Sequence, residues 1–138
     1  MTPYEMLAQV DLFKTLPSDV IYEMVERSST HRTAPGAVLV EQGSPDSGLR
    51  LIIEGTATVS VNGVERGEMK TGDYFGEISL IDSQPRSATV IAGPEGVRTL
   101  AMSPLTFSQL LDAHPQIARK LLPVLTARIR RIEAAQHD

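Results

Sequence analysis

The central part of the chain, residues 30–102, is a series of short apolar–polar alternations separated by glycine and proline, and this pattern constrains the fold most strongly. Residues 49–53 and 57–61 each carry apolar side chains at every second position, as strands with one buried face do. After the second of these, Asn62-Gly63 favours a type I′ hairpin turn. Because no helical pattern of about 10–15 residues separates the strands, βαβ units are disfavoured.

Further strands are expected on both sides of this hairpin. Residues 37–41 read as a strand, and Gly55 marks a corner. Residues 88–92 and 97–102 flank Gly93-Pro94-Glu95-Gly96, which predicts a second hairpin. The pattern therefore predicts an antiparallel β-roll of about eight strands, similar to a jelly roll.

Helical patterns flank the predicted roll. Residues 18–27 predict an amphipathic helix with Val20, Ile21, Met24 and Val25 on one face, and residues 4–9 predict a short helical turn before it. After the roll, Ser103-Pro104 is a capping serine followed by proline at the first helical position. The last helix, with apolar residues from Ile117 to Ile132, is expected to kink or split at Pro123. The fold class is therefore α+β.

Length and composition limit the remaining choices. The 138 residues fit one domain, with an N-terminal helical part (1–29), the β-roll (30–102) and C-terminal helices (103–136). The absence of cysteine excludes disulfides, thiolate metal sites and cysteine nucleophiles. The net charge of −4 argues against nucleic acid as a partner. Without a secretory signal or a long apolar run, we expect a cytoplasmic protein and no membrane contact.

The segment most informative about chemistry is residues 72–92, GDYFGEISLIDSQPRSATVIA. Gly76 allows a close approach of the backbone at the start of a short helix. Arg86 follows a proline at the entrance to a strand, and its planar fork suits a phosphate. Glu77 offers an acceptor for vicinal hydroxyls such as those of a ribose. The alternative from the residues alone is a structural ion pair between Glu77 and Arg86.

The same segment resembles the phosphate-binding cassette of the cyclic nucleotide-binding domain family, to which the catabolite activator protein and the regulatory subunits of cyclic AMP-dependent protein kinase belong. The shared pattern is Phe75-Gly76-Glu77, then Ile78-Ser79-Leu80, then Pro85-Arg86-Ser87-Ala88-Thr89-Val90. The resemblance extends over most of the chain and implies that the C-terminal helices correspond to the family's B and C helices.

The resemblance implies a role for each matching position. Glu77 would accept a hydrogen bond from the ribose 2′-hydroxyl, and Arg86 would pair with the exocyclic phosphate oxygens. Ser87 would help to choose the purine, and serine is intermediate between the alanine of members that prefer cyclic AMP and the threonine of many that accept cyclic GMP. Because serine also occurs in bacterial cyclic AMP receptors, the expected ligand is cyclic AMP, with cyclic GMP as the alternative, no further cofactor and no metal. The family often has an aromatic residue near Arg50, a difference expected to be harmless if that side chain faces solvent. The predicted binding residues are Phe75, Gly76, Glu77, Ile78, Ser79, Arg86, Ser87 and Ala88.

Several alternatives remain open from the sequence. The apolar stripe of the last helix could pack on its own roll or pair with a second copy in a homodimer, and its arginines are expected to form a solvated face. The chain would be a stand-alone sensor or an excised regulatory domain with an unidentified effector protein. The rival functions are a nucleotide-free protein-interaction module and the sensor part of a truncated transcription regulator. An enzyme is not expected, because the three histidines are far apart and no catalytic pair is evident.

Overall fold

Two long, bent strands form the spine of the structure, a computed structural model that describes residues 1–137. Strands β3 (Leu49–Val61) and β6 (Thr89–Met102) pair antiparallel along both of their halves. The other four strands flank this pair: β1 (Ser29–Thr33) and β2 (Val38–Val40) pair with β6, while β4 (Val64–Met69) and β5 (Tyr74–Phe75) pair with β3. Each long strand therefore has different neighbours at its two ends, which rolls the sheet.

The described sheet has six strands, fewer than the expected eight or so, because two pairs of predicted strands each form one strand. Residues 49–53 and 57–61 both belong to β3, which bends at Gly55, where φ is +98°. The predicted hairpin at residues 93–96 is wrong. Ala92 pairs with Ala57 and Val97 with Gly55, so these four residues bulge opposite Thr56 while the strand keeps its direction.

The hairpin between β3 and β4 is confirmed. Val61 pairs with Val64, and the two residues between them both have positive φ, +52° for Asn62 and +79° for Gly63. A type I′ turn requires this conformation at both central positions. The sequence signal was reliable here because the turn and its pairing are local.

Among the described residues, six helical segments surround the sheet, and side chains cap the starts of the first and the fifth. Thr2 and Ser103 both accept hydrogen bonds at helix starts. The last helix continues through Pro123, so it is not split. No helix among the described residues has both the length and the apolar content to span a bilayer. The segments are α1 (Pro3–Ala8), a 3₁₀ turn (Asp11–Phe13), α2 (Ser18–Glu26), α3 (Ser79–Asp82), α4 (Pro104–Ala113) and α5 (Gln116–His137).

The apolar interior has two parts. The larger one lies between the helices and one end of the roll, and Phe13 and Phe107 are fully buried in it with their ring centroids 6.1 Å apart. The smaller part fills the other end of the roll and consists of Val40, Ile52, Ala57, Val90, Ala92 and Val97. Phe75 and Val59 pack against this smaller part. It supports the segment that the sequence singled out.

Candidate functional site

A cavity of about 310 Å³ opens over the smaller apolar part. Its size is near the lower end of the range for small-molecule pockets, about 300–1,000 Å³. The structure brings all eight predicted binding residues to its wall: Phe75, Gly76, Glu77, Ile78, Ser79, Arg86, Ser87 and Ala88. The apolar side chains of Val40, Val59, Met69 and Val90 also line it, as do Asp82, Gln84 and Pro85.

Arg86 is the most buried charged residue of this wall, with only 7% of its surface exposed. Its Nη1 donates to the carbonyl oxygen of Gly48 at 2.7 Å, and its Nε and Nη2 donate to Oδ2 of Asp46 at 3.4 and 3.3 Å. The Phe75 ring centroid lies 5.3 Å from the guanidinium carbon. Within the described residues these bonds occupy three of the five N–H groups, which leaves one on each terminal nitrogen for a ligand.

The backbone of Arg86 is held by the loop before β3. Its N–H donates to the carbonyl of Ser44 at 3.0 Å, and its carbonyl accepts from Gly43 N–H at 2.8 Å. The sequence predicted a strand entrance at Arg86, whereas β6 begins only at Thr89. The backbone at Arg86 is thus anchored to a loop and not to a strand.

Gly76 and Ser79 fix the cassette against the same loop. Gly76 has φ of +80°, and a Cβ there would collide with the Gly48 carbonyl oxygen and with Nη1 of Arg86. The Ser79 hydroxyl donates to the Gly76 carbonyl at 2.8 Å and accepts from Gly48 N–H at 2.7 Å. The N–H of Gly48 therefore holds α3 through the Ser79 hydroxyl, and the carbonyl of Gly48 holds the guanidinium of Arg86.

Glu77 faces a different part of the molecule. Its Oε1 accepts from Nη1 of Arg128 on α5 at 3.4 Å, and Nη2 of Arg128 donates to Oδ2 of Asp11 at 3.2 Å. The hydrogen bond from Arg128 lowers the pKa of Asp11, and the charges of Lys14, Arg128 and Arg131 lower it further, although burial opposes them. The Asp11 N–H also donates to the Tyr74 hydroxyl at 3.1 Å. Arg128 thus joins the cassette, the 3₁₀ turn and the last helix.

Three charged residues near the site were missed or misjudged from the sequence. Asp46 was not singled out in the sequence as a site residue, yet it pairs with Arg86. Arg128 was assigned to a solvated face, but it lies partly buried between two carboxylates. Arg50 does not simply face solvent, since its Nε and Nη2 donate to the buried Thr99 hydroxyl at 3.2 and 3.0 Å. No local pattern marks these residues, because their partners lie at least 40 positions away.

Comparison with known proteins agrees with this geometry. The family described as "Cyclic nucleotide-binding domain" matches residues 30–114. A cyclic nucleotide-gated potassium channel of Mesorhizobium japonicum is 38% identical over 83% of this chain and 32% of its own length. A cAMP-dependent protein kinase regulatory subunit of Blastocladiella emersonii is 31% identical over 80% of this chain and 28% of its own length. The chain therefore spans about a third of the length of these curated relatives.

Among solved structures, the N-terminal domain of a transcriptional regulator from Streptomyces coelicolor A3(2) is similar throughout. It has a TM-score of 0.86 and 26% identity, and the alignment covers 95% of this chain and 94% of that one. Because the family model matches residues 30–114, which include the cassette, the chain belongs to the cyclic nucleotide-binding domain family.

Proposed function

We propose that this chain binds a cyclic purine mononucleotide, cyclic AMP in preference to cyclic GMP, and acts without catalysis as a cytoplasmic regulatory sensor. The observation that carries the proposal is the placement of a buried cation, Arg86, and a carboxylate, Glu77, on the wall of one cavity. A cyclic nucleotide has a charged phosphate and a ribose hydroxyl, so it would need one group of each kind.

At the phosphate end, the two remaining N–H groups of Arg86 would donate to the exocyclic oxygens of the diester. Charge-assisted hydrogen bonds of this kind are about twice as strong as neutral ones. Asp46, which is 54% exposed at its side chain, would keep the guanidinium oriented during this contact. The ligand phosphate would thereby supply the negative charge that a buried arginine requires.

At the other end, the ribose 2′-hydroxyl would donate to Glu77, and the purine would lie against the apolar wall. Val40, Val59 and Met69 offer dispersion contacts there but no hydrogen-bonding side chain. This wall would therefore discriminate little between adenine and guanine, which leaves the choice to groups such as the Ser87 hydroxyl. The relative named as a cAMP-dependent kinase regulatory subunit supports cyclic AMP.

Regulation would work through the contact between Glu77 and Arg128. The ion pair uses Oε1 of Glu77, so a ribose hydroxyl bound at Oε2 would not displace Arg128. Ligand binding would instead fix the carboxylate and shift α5 toward the arrangement in which it covers the base, with Pro123 as the hinge. A ligand shifts such an equilibrium only through its unequal affinity for the two arrangements.

A second candidate, the sensor part of a transcription regulator that pairs through α5, is favoured by two observations. Leu122, Ile129 and Ile132 are all more than half exposed on this helix, at a spacing suited to a second helix. The similar Streptomyces coelicolor domain is described as part of a transcriptional regulator. Light scattering of the purified chain would distinguish a homodimer from a monomer, and a monomer at high concentration would contradict this candidate.

Titration calorimetry with cyclic AMP, cyclic GMP and linear AMP tests the main proposal. Arg86→Ala should make the free energy of cyclic AMP binding less favourable by about 1.5–3 kcal/mol, the range for a hydrogen bond to a charged group. This corresponds to a loss of affinity of about ten- to a hundredfold. Recovery of intact cyclic AMP after incubation would support the non-catalytic role. Absence of binding to either cyclic nucleotide would favour the nucleotide-free interaction module.

A further inference from the structure

Arg50 lies beside the phosphate end of the cavity without lining it. It sits on β3 directly opposite Phe75 of β5, so the two side chains share one face of the sheet. The Phe75 ring in turn lies 5.3 Å from the guanidinium carbon of Arg86. Arg50 is therefore the cross-strand neighbour of the residue whose ring lies over the Arg86 guanidinium.

Few carboxylates lie near the guanidinium groups of Arg50 and Arg86. Asp46 is the carboxylate that pairs with Arg86, and its own side chain is 54% exposed. Within the described residues, no carboxylate oxygen lies within 4.0 Å of the Arg50 guanidinium, whose partner is instead the neutral hydroxyl of buried Thr99. Burial lowers the pKa of Arg50 and the charge of Arg86 lowers it further, while Asp46 raises it. This corner of the site thus carries an excess of positive charge that is partly removed from water.

We propose that Arg50 is a second cation of the phosphate end, which stabilises an anionic ligand on Arg86 through space. This inference rests on the proposed binding of a cyclic nucleotide and adds a charge that the cassette motif does not contain. Partial burial strengthens the interaction, because the effective dielectric constant is lower there than at an exposed site, and salt screens the part of the field that passes through water. Thr99 holds the guanidinium in place, so Arg50 is a positioning and field-generating residue and does not touch the ligand.

The test compares cyclic AMP affinities of the wild type, Arg50→Gln and Arg50→Lys by calorimetry at low and high salt. Gln keeps a donor for Thr99 but removes the charge, whereas Lys keeps the charge. We expect Arg50→Gln to weaken binding about three- to tenfold at low salt, with a flatter salt dependence, and Arg50→Lys to remain close to wild type. Arg98→Gln is the matched control, because Arg98 pairs with Glu54 away from this cavity and should not affect binding.

The outcomes separate this inference from the proposed function. Failure of the wild type to bind any cyclic nucleotide overturns both. Normal binding by the wild type with equal affinity in Arg50→Gln overturns only the role of Arg50. A loss that is the same at all salt concentrations and is shared by Arg50→Lys indicates a purely structural role and also overturns it. If Arg50→Gln does not fold, Arg50→Tyr, which places an aromatic residue there, gives a second charge-free variant with the same expected loss.

Discussion

The phosphate end and the ribose end of the proposed binding site are held in different ways. Arg86, at one end, has its contacts within the cassette and the loop before β3, and it is 7% exposed. Glu77, at the other end, has a partner on the last helix, Arg128, whose own side chain is 25% exposed. One end is therefore built into the roll, while the other depends on a helix that lies outside it.

This difference predicts that the two ends contribute unequally to the affinity for the ligand and to the movement of α5. A preorganised cation loses little conformational freedom on binding, so the phosphate end should supply most of the binding energy. A carboxylate tied to α5 changes its surroundings when a ligand engages it, so the ribose end should control the position of the helix. Variants at the first end should mainly change affinity, and variants at the second should mainly change the dynamics of α5.

The strongest test of the preorganised end is Gly76→Ala. The new methyl group would overlap the Gly48 carbonyl and the Arg86 guanidinium at a positive φ. We expect a loss of about 2–5 kcal/mol in the free energy of unfolding, from backbone strain together with overpacking, and loss of cyclic nucleotide binding. Urea denaturation and calorimetry would measure both quantities.

Gly36→Ala is the control that isolates backbone strain. Gly36 has a similar φ of +73°, but nothing lies within 4 Å of the position of its Cβ. Its substitution should cost about 1–2 kcal/mol of stability, and binding should be retained. Equal losses of stability in Gly76→Ala and Gly36→Ala would show that the contact between Gly76 and the Gly48 loop contributes nothing. The proposal that this contact preorganises the phosphate end would then be wrong.

Ser79→Ala is a milder change at the same end. It removes a hydroxyl that joins Gly48 N–H to the Gly76 carbonyl, so the loop and cassette should hold Arg86 less precisely. We expect a loss of about 1–2 kcal/mol in stability and a fall in cyclic AMP affinity of up to about tenfold. Calorimetry on the folded variant measures the second effect directly.

Ser103→Ala provides the comparison for Ser79. It removes a helix cap outside the cavity wall and should cost about 1 kcal/mol of stability. Its affinity for cyclic AMP should equal that of the wild type. If both serine variants bound the ligand equally well, Ser79 would be a stabilising residue only.

The sequence was sufficient for the parts of the molecule that depend on local chemistry. The Asn62-Gly63 turn and the capped start of α4 follow from neighbouring positions. The eight residues that line the cavity came from the resemblance to a family motif. The bulge at residues 93–96 did not follow from neighbouring positions, because its glycines and proline favour a reversal locally and only pairing with β3 keeps the strand direction. Arg50, Asp46 and Arg128 likewise owe their environments to residues distant in sequence.

Among the variants that alter a contact of the cavity wall, Arg128→Gln should change affinity least and the dynamics of α5 most specifically. The variant removes the charge that joins Glu77 to Asp11, yet an ion pair with this exposure contributes at most about 1 kcal/mol. Cyclic AMP affinity should therefore change by less than about fivefold. In hydrogen exchange, ligand should protect residues 124–136 of the wild type but leave them unchanged in the variant.

Glu77→Ala is the informative partner of this experiment, because it breaks the same contact from inside the cavity. It should lose the ligand-induced protection of α5 as Arg128→Gln does. It should also bind cyclic AMP more weakly while its affinity for the 2′-deoxy analogue stays close to that of the wild type. Protection of α5 by ligand in both variants would mean that the helix responds through another contact, and the division between an affinity end and a response end would not hold.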